Sequence, residues 1–358
     1  MPTVNETLAD LLTRHQVYLT RYSTTIVRRM VALLNRTDAD IVAQIQSLDV
    51  DGGREAKRAR LEQILDAIHN LSASAYEQVH RALRGELEDL AEHERTYNVR
   101  VLQETIPVRL DYVTPSPEQV RAAATRRPFQ GRLLSEWMSG LSDAAAARIR
   151  DALRIGVVEG QTIDQMVRRV RGTRANQYAD GILEISRRDA EGVVRTAVNH
   201  VATAARQDTM EANADILKGV QWVSTLDGRT TAICRARDGK LYPVDSGPRP
   251  PAHFRCRSTI APVTKSWRDL GIDLDEAPPG TRASMDGQVP ADQTYGEWLA
   301  KQPRAFVVDV LGETKAKLFL DGKLPMDRFV DLRTGDEFTL EELRKRDAAA
   351  FARAGLAA

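Results

Sequence analysis

The feature that most constrains this chain is a helical period running through most of its first two hundred residues. Leu8, Leu11, Leu12, Val17 and Leu19 lead into Ile26, Val27, Met30, Val31 and Leu34, with intervals of three and four prevailing. Such spacing puts apolar side chains on one face of a helix. Asp51-Gly52-Gly53 interrupts the pattern. A second long stripe follows through Leu61, Ile64, Leu65, Ile68 and Leu71 and continues more weakly through Val79, Leu83, Leu87 and Leu90. Pro107 and Thr114-Pro115-Ser116-Pro117 break the run, since proline lacks the backbone donor a helix interior needs. Thr114 or Ser116 then serves as a cap. Beyond them, Leu133, Trp137, Met138 and Leu141 restart the period, Ala144 to Gly156 is another helix with Gly156 as its end, Thr162 caps Ile163 to Val170, and Asp189 to Ala214 is a further helix.

Composition agrees with this bias. Aromatic residues are 5% of 358, while alanine and arginine are plentiful, which favours helices over a β-sandwich. At 42% hydrophobic and 28% charged, the chain suits a soluble globular protein of two or three domains. The formal net charge of +1 gives no global argument for nucleic-acid binding, so local clusters have to carry one. The first residues mix Asn5, Glu6, Asp10 and Arg14 among apolar ones, unlike a signal peptide. No run reaches the roughly 18 apolar residues of a membrane span. Synthesis in a cytoplasm and no membrane partner are the expectations.

The character changes at Gly219. Val220 to Val223 reads as a strand, Asp227-Gly228-Arg229 and Asp238-Gly239-Lys240 as turns, and Ser258 to Val263 as a closing strand. Residues 273 to 293 are rich in Pro, Gly, Asp and Ala and read as a loop. Helical stretches at Tyr295 to Phe319 and Leu340 to Arg353 close the pattern. The expected fold class is α+β: a predominantly α-helical N-terminal region, a small α+β module and a short helical tail. The expected divisions are 1–112 and 113–184, both helical, 185–270 for the module, 271–294 for a linker and 295–358 for the tail.

One ordered constellation stands out. Arg195-Thr196-Ala197 on a helix is followed by Trp222, Asp227-Gly228-Arg229-Thr230, Cys234, Asp238-Gly239-Lys240, Gly247-Pro248, Pro250-Pro251, His253 and Cys256-Arg257-Ser258. In the tail come Tyr295-Gly296-Glu297-Trp298-Leu299, Gln302-Pro303, Val310-Leu311-Gly312, Gly322-Lys323-Leu324 and Phe329-Val330-Asp331. Over about 185 to 345 this order resembles the Mu F-like family of phage head morphogenesis proteins. The resemblance implies a minor capsid protein rather than an enzyme. Such a protein enters the procapsid in few copies, sits in the phage head near the portal vertex, and acts in assembly or genome delivery. The implied partners are the portal protein, together with scaffold, major capsid protein and packaged DNA.

The same residues have physical readings of their own. Cys234, His253 and Cys256 carry the donors zinc prefers, and His253-x2-Cys256 is a local pair. A structural zinc needs four ligands, and a C-x2-C pair would need a cysteine where Thr231 stands. Some members of the resembled family carry extra cysteines in this stretch. Asp227, Asp238 or water is a candidate fourth donor. A Cys234–Cys256 disulfide and plain packing of a loop-rich core are the alternatives to zinc. Trp222, Asp227, Arg229, Asp238 and Gly239 read as structural, with Asp227 and Arg229 flanking a turn and Arg195 expected to reach Asp227 or Asp238. Arg235, Arg237, Lys240, Arg249, Arg255 and Arg257 form a basic cluster for DNA phosphates, an acidic portal surface or solvent. Two rival functions follow: a DNA-binding ejection protein using that cluster, and a metal-dependent nuclease or hydrolase with His253 as acid–base. Against the latter, the sequence shows no carboxylate cluster, nucleophile elbow or P-loop.

Overall fold

The computed structural model describes residues 3–48, 54–107, 110–266, 268–270 and 280–356. The Asp51-Gly52-Gly53 interruption lies outside them, as does 271–279 of the expected linker. The chain folds into two compact units, each assembled from separated stretches. A sheet unit takes Met1–Thr20, His93–Val120 and Ala202–Ala358, and a helical unit takes Arg21–Glu92 and Arg121–Val201.

Six helices cover the first part of the chain: α1 (Val4–Gln46), α2 (Arg54–Thr105), α3 (Pro117–Thr125), α4 (Leu134–Val158), α5 (Ile163–Arg171) and α6 (Ile182–Ala212). Their starts follow capping chemistry. Thr3 and Glu6 reciprocate at α1, and Ser116 Oγ accepts from Gln119 N at 3.2 Å ahead of α3. Thr162 and Gln165 form a capping box at α5, satisfying amides that have no partner within the helix. In the helical unit, Ile41, Ile45, Leu61, Ile64, Leu65 and Ile68 are buried with Ile149, Leu153, Met166, Val170 and Leu183. The second stripe read from the sequence, Leu61 to Ile68, is therefore part of the core of this unit, whereas Leu8, Leu12 and Leu19 of the first are buried in the sheet unit and Val17 is exposed.

In the sheet unit, β1 (Leu217–Val223) is the central strand of three, with β2 (Leu241–Tyr242) and β3 (Thr259–Thr264) antiparallel on either side. Trp222 lies opposite Ile260, and Val220 opposite Pro262 and Tyr242. Between β1 and β2 the chain forms a short helix that the sequence does not predict, α7 (Ala232–Arg237), and Cys234 sits on it. Six residues are too few to carry a readable helical period. The stretch expected as linker holds a hairpin of β4 (Thr281–Ser284) and β5 (Gly287–Pro290). The tail contains α8 (Tyr295–Ala300), α9 (Arg304–Leu311), α10 (Glu313–Leu320), α11 (Leu340–Arg346) and α12 (Ala348–Arg353). Its core is Tyr295, Trp298, Leu299, Val307, Phe329, Leu343 and Phe351. The architecture is α+β with a predominantly helical N-terminal region, as the sequence predicts. Among the described residues no helix is long and apolar enough to cross a membrane.

Candidate functional site

The geometry is set where β1 hands over to α7. The indole of Trp222 donates to Ser224 Oγ at 3.0 Å, and that hydroxyl donates to the Cys234 carbonyl at 2.8 Å. Ser224 N donates to Asp238 Oδ1 at 2.6 Å, and Tyr295 N donates to Asp238 Oδ2 at 2.7 Å. Arg282 grips both Asp238 oxygens at 3.1 Å, and the Asp238 side chain is wholly buried. A carboxylate removed from water needs this full complement of donors. Gly239 then turns the chain into β2 at φ +78°, and a Cβ there would lie 3.0 Å from the Thr294 side chain.

Asp227 organises the loop ahead of α7. Its Oδ1 accepts from Arg229 N at 3.0 Å and Thr230 Oγ1 at 3.2 Å, and Arg257 pairs with both oxygens at 2.5 and 2.9 Å. Burial pushes this carboxyl up. The Arg257 hydrogen bond and charge, with the Arg229 and Thr230 donors, outweigh it and hold Asp227 below the usual range. The expected turn is present, but the guanidinium that pairs with Asp227 is that of Arg257. Arg229 contributes its backbone amide.

Against this frame Cys234, His253 and Cys256 converge, their donor atoms all within 4.8 Å of one another. Cys234 Sγ lies 3.8 Å from Cys256 Sγ and 3.4 Å from His253 Nε2. Both cysteines are buried and are not joined as a disulfide. The loop supplying His253 and Cys256 closes through Cys256 N donating to the His253 carbonyl at 3.2 Å, with Arg255 in the left-handed region at φ +60°. His253 Nδ1 faces the Phe254 carbonyl at 2.8 Å and so carries a proton, which leaves Nε2 directed at the sulphurs and at Thr231 Oγ1, 2.8 Å away. The Cys234 thiol hydrogen bond draws Cys256 well below the ordinary thiol range despite burial, with His253 assisting. Cys234 moves the other way because its proton serves Cys256 and because it is buried. Burial opposes a charge on His253, but its hydrogen bond and attraction to Cys256 raise it.

The other expected residues have structural positions. Arg195 bonds Glu191, Ser23 and Thr24 in the helical unit, not Asp227 or Asp238 as the sequence suggests. The aspartates take Arg257 and Arg282 instead. Thr196 is buried and donates to the Gly192 carbonyl at 2.7 Å. In the basic cluster, Arg235 donates to the Thr230 and Val310 carbonyls and lies over the Tyr295 ring. Arg237 is buried, donates to the Leu332 carbonyl and covers Trp222. Lys240 pairs with Asp327 at 2.8 Å, and Arg249 bonds Gln207 and the Pro243 and Val244 carbonyls. Arg255 is the strained member of the cysteine loop.

Sequence reasoning assigned no role to Ser224, Arg282 or the Thr231 hydroxyl. Arg282 was hidden in a stretch whose composition reads as linker. Ser224 has no signal beyond its place two residues after Trp222.

A three-stranded sheet has its loops held by one buried and one half-buried Arg–Asp pair, with a thiol–imidazole cluster formed between a short helix and the loop ahead of β3. Residues 147–261, from within α4 to β3, match the family model described as Phage Mu protein F like protein, and this stretch of the chain is similar to that family. The resemblance read from the sequence is thereby borne out. No curated protein and no solved structure matches the chain.

Proposed function

We propose that this protein is a minor head protein of a tailed phage, acting as a structural part in procapsid assembly or genome delivery beside the portal vertex. The match over 147–261 carries the reading, because it takes in all three of Cys234, His253 and Cys256, the Asp227–Arg257 pair and Asp238. A scaffolding role is supported by how the polar residues are engaged. Asp227 is held by Arg257, one backbone amide and the Thr230 hydroxyl, and Asp238 by Arg282 and two backbone amides, which leaves neither placed to shuttle protons. Arg235, Arg237, Lys240, Arg249 and Arg257 bond carbonyls, an amide or carboxylates of their own unit, which favours a protein contact over a phosphate track. The portal protein is the partner proposed, with scaffold, major capsid protein and packaged DNA as neighbours in the head.

Quantitative mass spectrometry of purified virions and empty procapsids tests this. The expected outcome is a few copies in both particles. Absence from both, with abundance in infected cells, overturns the reading in favour of a transient factor or an enzyme.

A further inference from the structure

We propose that Cys234, His253 and Cys256 hold one zinc ion, and that its fourth coordination position opens toward the Thr231 hydroxyl, where it takes an exchangeable oxygen ligand. The inference stands independently of the head-protein reading.

Three observations carry it. First, the two spacings from Cys234 are those of ligands around a metal, and the third pair, Cys256 and His253, lies within 4.8 Å. Zn–S bonds of about 2.3 Å and Zn–N bonds of about 2.0–2.1 Å in a tetrahedron put sulphur roughly 3.8 Å from sulphur and roughly 3.5 Å from nitrogen. The structure has 3.8 and 3.4 Å. A disulfide would require the sulphurs to close to about 2.05 Å. Second, the histidine is prepared. The Phe254 carbonyl fixes the proton on Nδ1, so Nε2 is the ligating atom, the outer-shell arrangement that orients metal-bound imidazoles. Third, the donors suit the ion. Two thiolates, one neutral imidazole and a divalent cation sum to zero charge, which a buried site tolerates. Sulphur and nitrogen select zinc over magnesium or calcium, which take oxygen.

Thr231 defines the remaining position. It occupies the N-cap of α7, where threonine ordinarily bonds a helix amide, yet its side chain makes no capping bond. The hydroxyl turns to His253 Nε2 instead. Residues three apart share a helix face, so position 231 lies beside Cys234. The carboxylates weighed as a fourth donor are engaged elsewhere, Asp227 by Arg257 and Asp238 by Arg282. Among the described residues no acid joins the cluster. Three protein ligands with an open position mark an exchangeable site, and a fourth ligand would close it.

The test uses the full chain, purified under reductant without added metal. Elemental analysis and native mass spectrometry should find close to one zinc per chain. Replacement by cobalt should give a thiolate-to-cobalt charge-transfer band and the visible bands of tetrahedral cobalt. Cys256→Ser should lose both. Thr231→Cys adds a ligand without removing one, so it remains informative even if Cys256→Ser does not fold. It should slow zinc loss to a chelator by on the order of tenfold or more. A reduced, folded wild-type chain that neither carries zinc nor takes up cobalt overturns the site. Unchanged metal retention in Thr231→Cys overturns the placement of the fourth position. Oxidised, metal-free cysteines in the protein from virions would assign the pair to a disulfide and overturn the proposal.

Discussion

Two arginines on α6 show how differently the two units are held. Arg195, in the helical unit, keeps its side chain partly in solvent and bonds the hydroxyls of Ser23 and Thr24 and the carboxylate of Glu191. Arg206, in the sheet unit, is 1% exposed and reaches Asn98, Thr259 and a wholly buried Glu94. His15 meets the other oxygen of that glutamate and stacks on Tyr97. Burial lowers the affinity of Arg206 for its proton, and Glu94 opposes the change. The helical unit carries its charges at the rim of an apolar core. The sheet unit places charges inside and must satisfy them there. The first should tolerate polar substitutions and be sensitive to lost volume. The second should be sensitive to the loss of a single partner.

The largest expected effect is in the sheet unit. Arg206→Met leaves Glu94 without its guanidinium and should cost about 3–5 kcal/mol, read by hydrogen exchange of the sheet-unit amides. Adding Glu94→Gln should recover most of the loss. If the double variant is no better than the single, buried charge is not what distinguishes the units. Next comes volume in the helical unit. Ile68, fully buried, should cost about 2–5 kcal/mol on Ile68→Ala, and a loss below about 1 kcal/mol would show a core loose enough to collapse.

A pH effect of about 3 kcal/mol should appear in the helical unit. Burial lowers His200 from 6.5 to about 4, so the unfolded chain takes up this proton first as the medium acidifies. Its contribution is complete above pH 6.5 and declines as pH falls toward 4. Denaturant midpoints across that window should slope in the wild type and flatten in His200→Phe. A persistent slope would move the effect to another group. The smallest effect belongs to the Arg154–Glu62 pair, whose side chains are both 49% exposed. Glu62→Gln should change stability by less than about 0.5 kcal/mol, and a larger change would make the rim of the helical unit as consequential as its core.

What the sequence reveals follows the same division. Periodicity locates α1, α2, α4 and α6 because their stability comes from an apolar stripe, and the stripe is written in the residue order. Capping at Ser116 and Thr162 is legible for the same local reason. The convergence of Cys234, His253 and Cys256 is visible as a motif, but its frame is not. Arg257 and Arg282 clamp the two aspartates from 30 and 44 residues away, and nothing local pairs them. Arg206 does leave a trace. It shares a helix face with Ala202 and Thr209, both buried, so a charge falls on an otherwise buried face. The short α7 was unreadable because six residues are too few to display a period.

Asn5 accepts hydrogen bonds from the amide and hydroxyl of Thr264, across 259 residues of chain. At about 5–20 residues per second, a ribosome needs roughly ten to fifty seconds to connect the two. For that interval the first turns of α1 exist without the strand they will hold. The helical unit, whose stretches end at Val201, is synthesised before the sheet unit has its central strand. Completion of this protein is therefore timed by its latest strands, and a nascent chain halted before β3 would present an unfinished N-terminal helix to whatever else is in the cell.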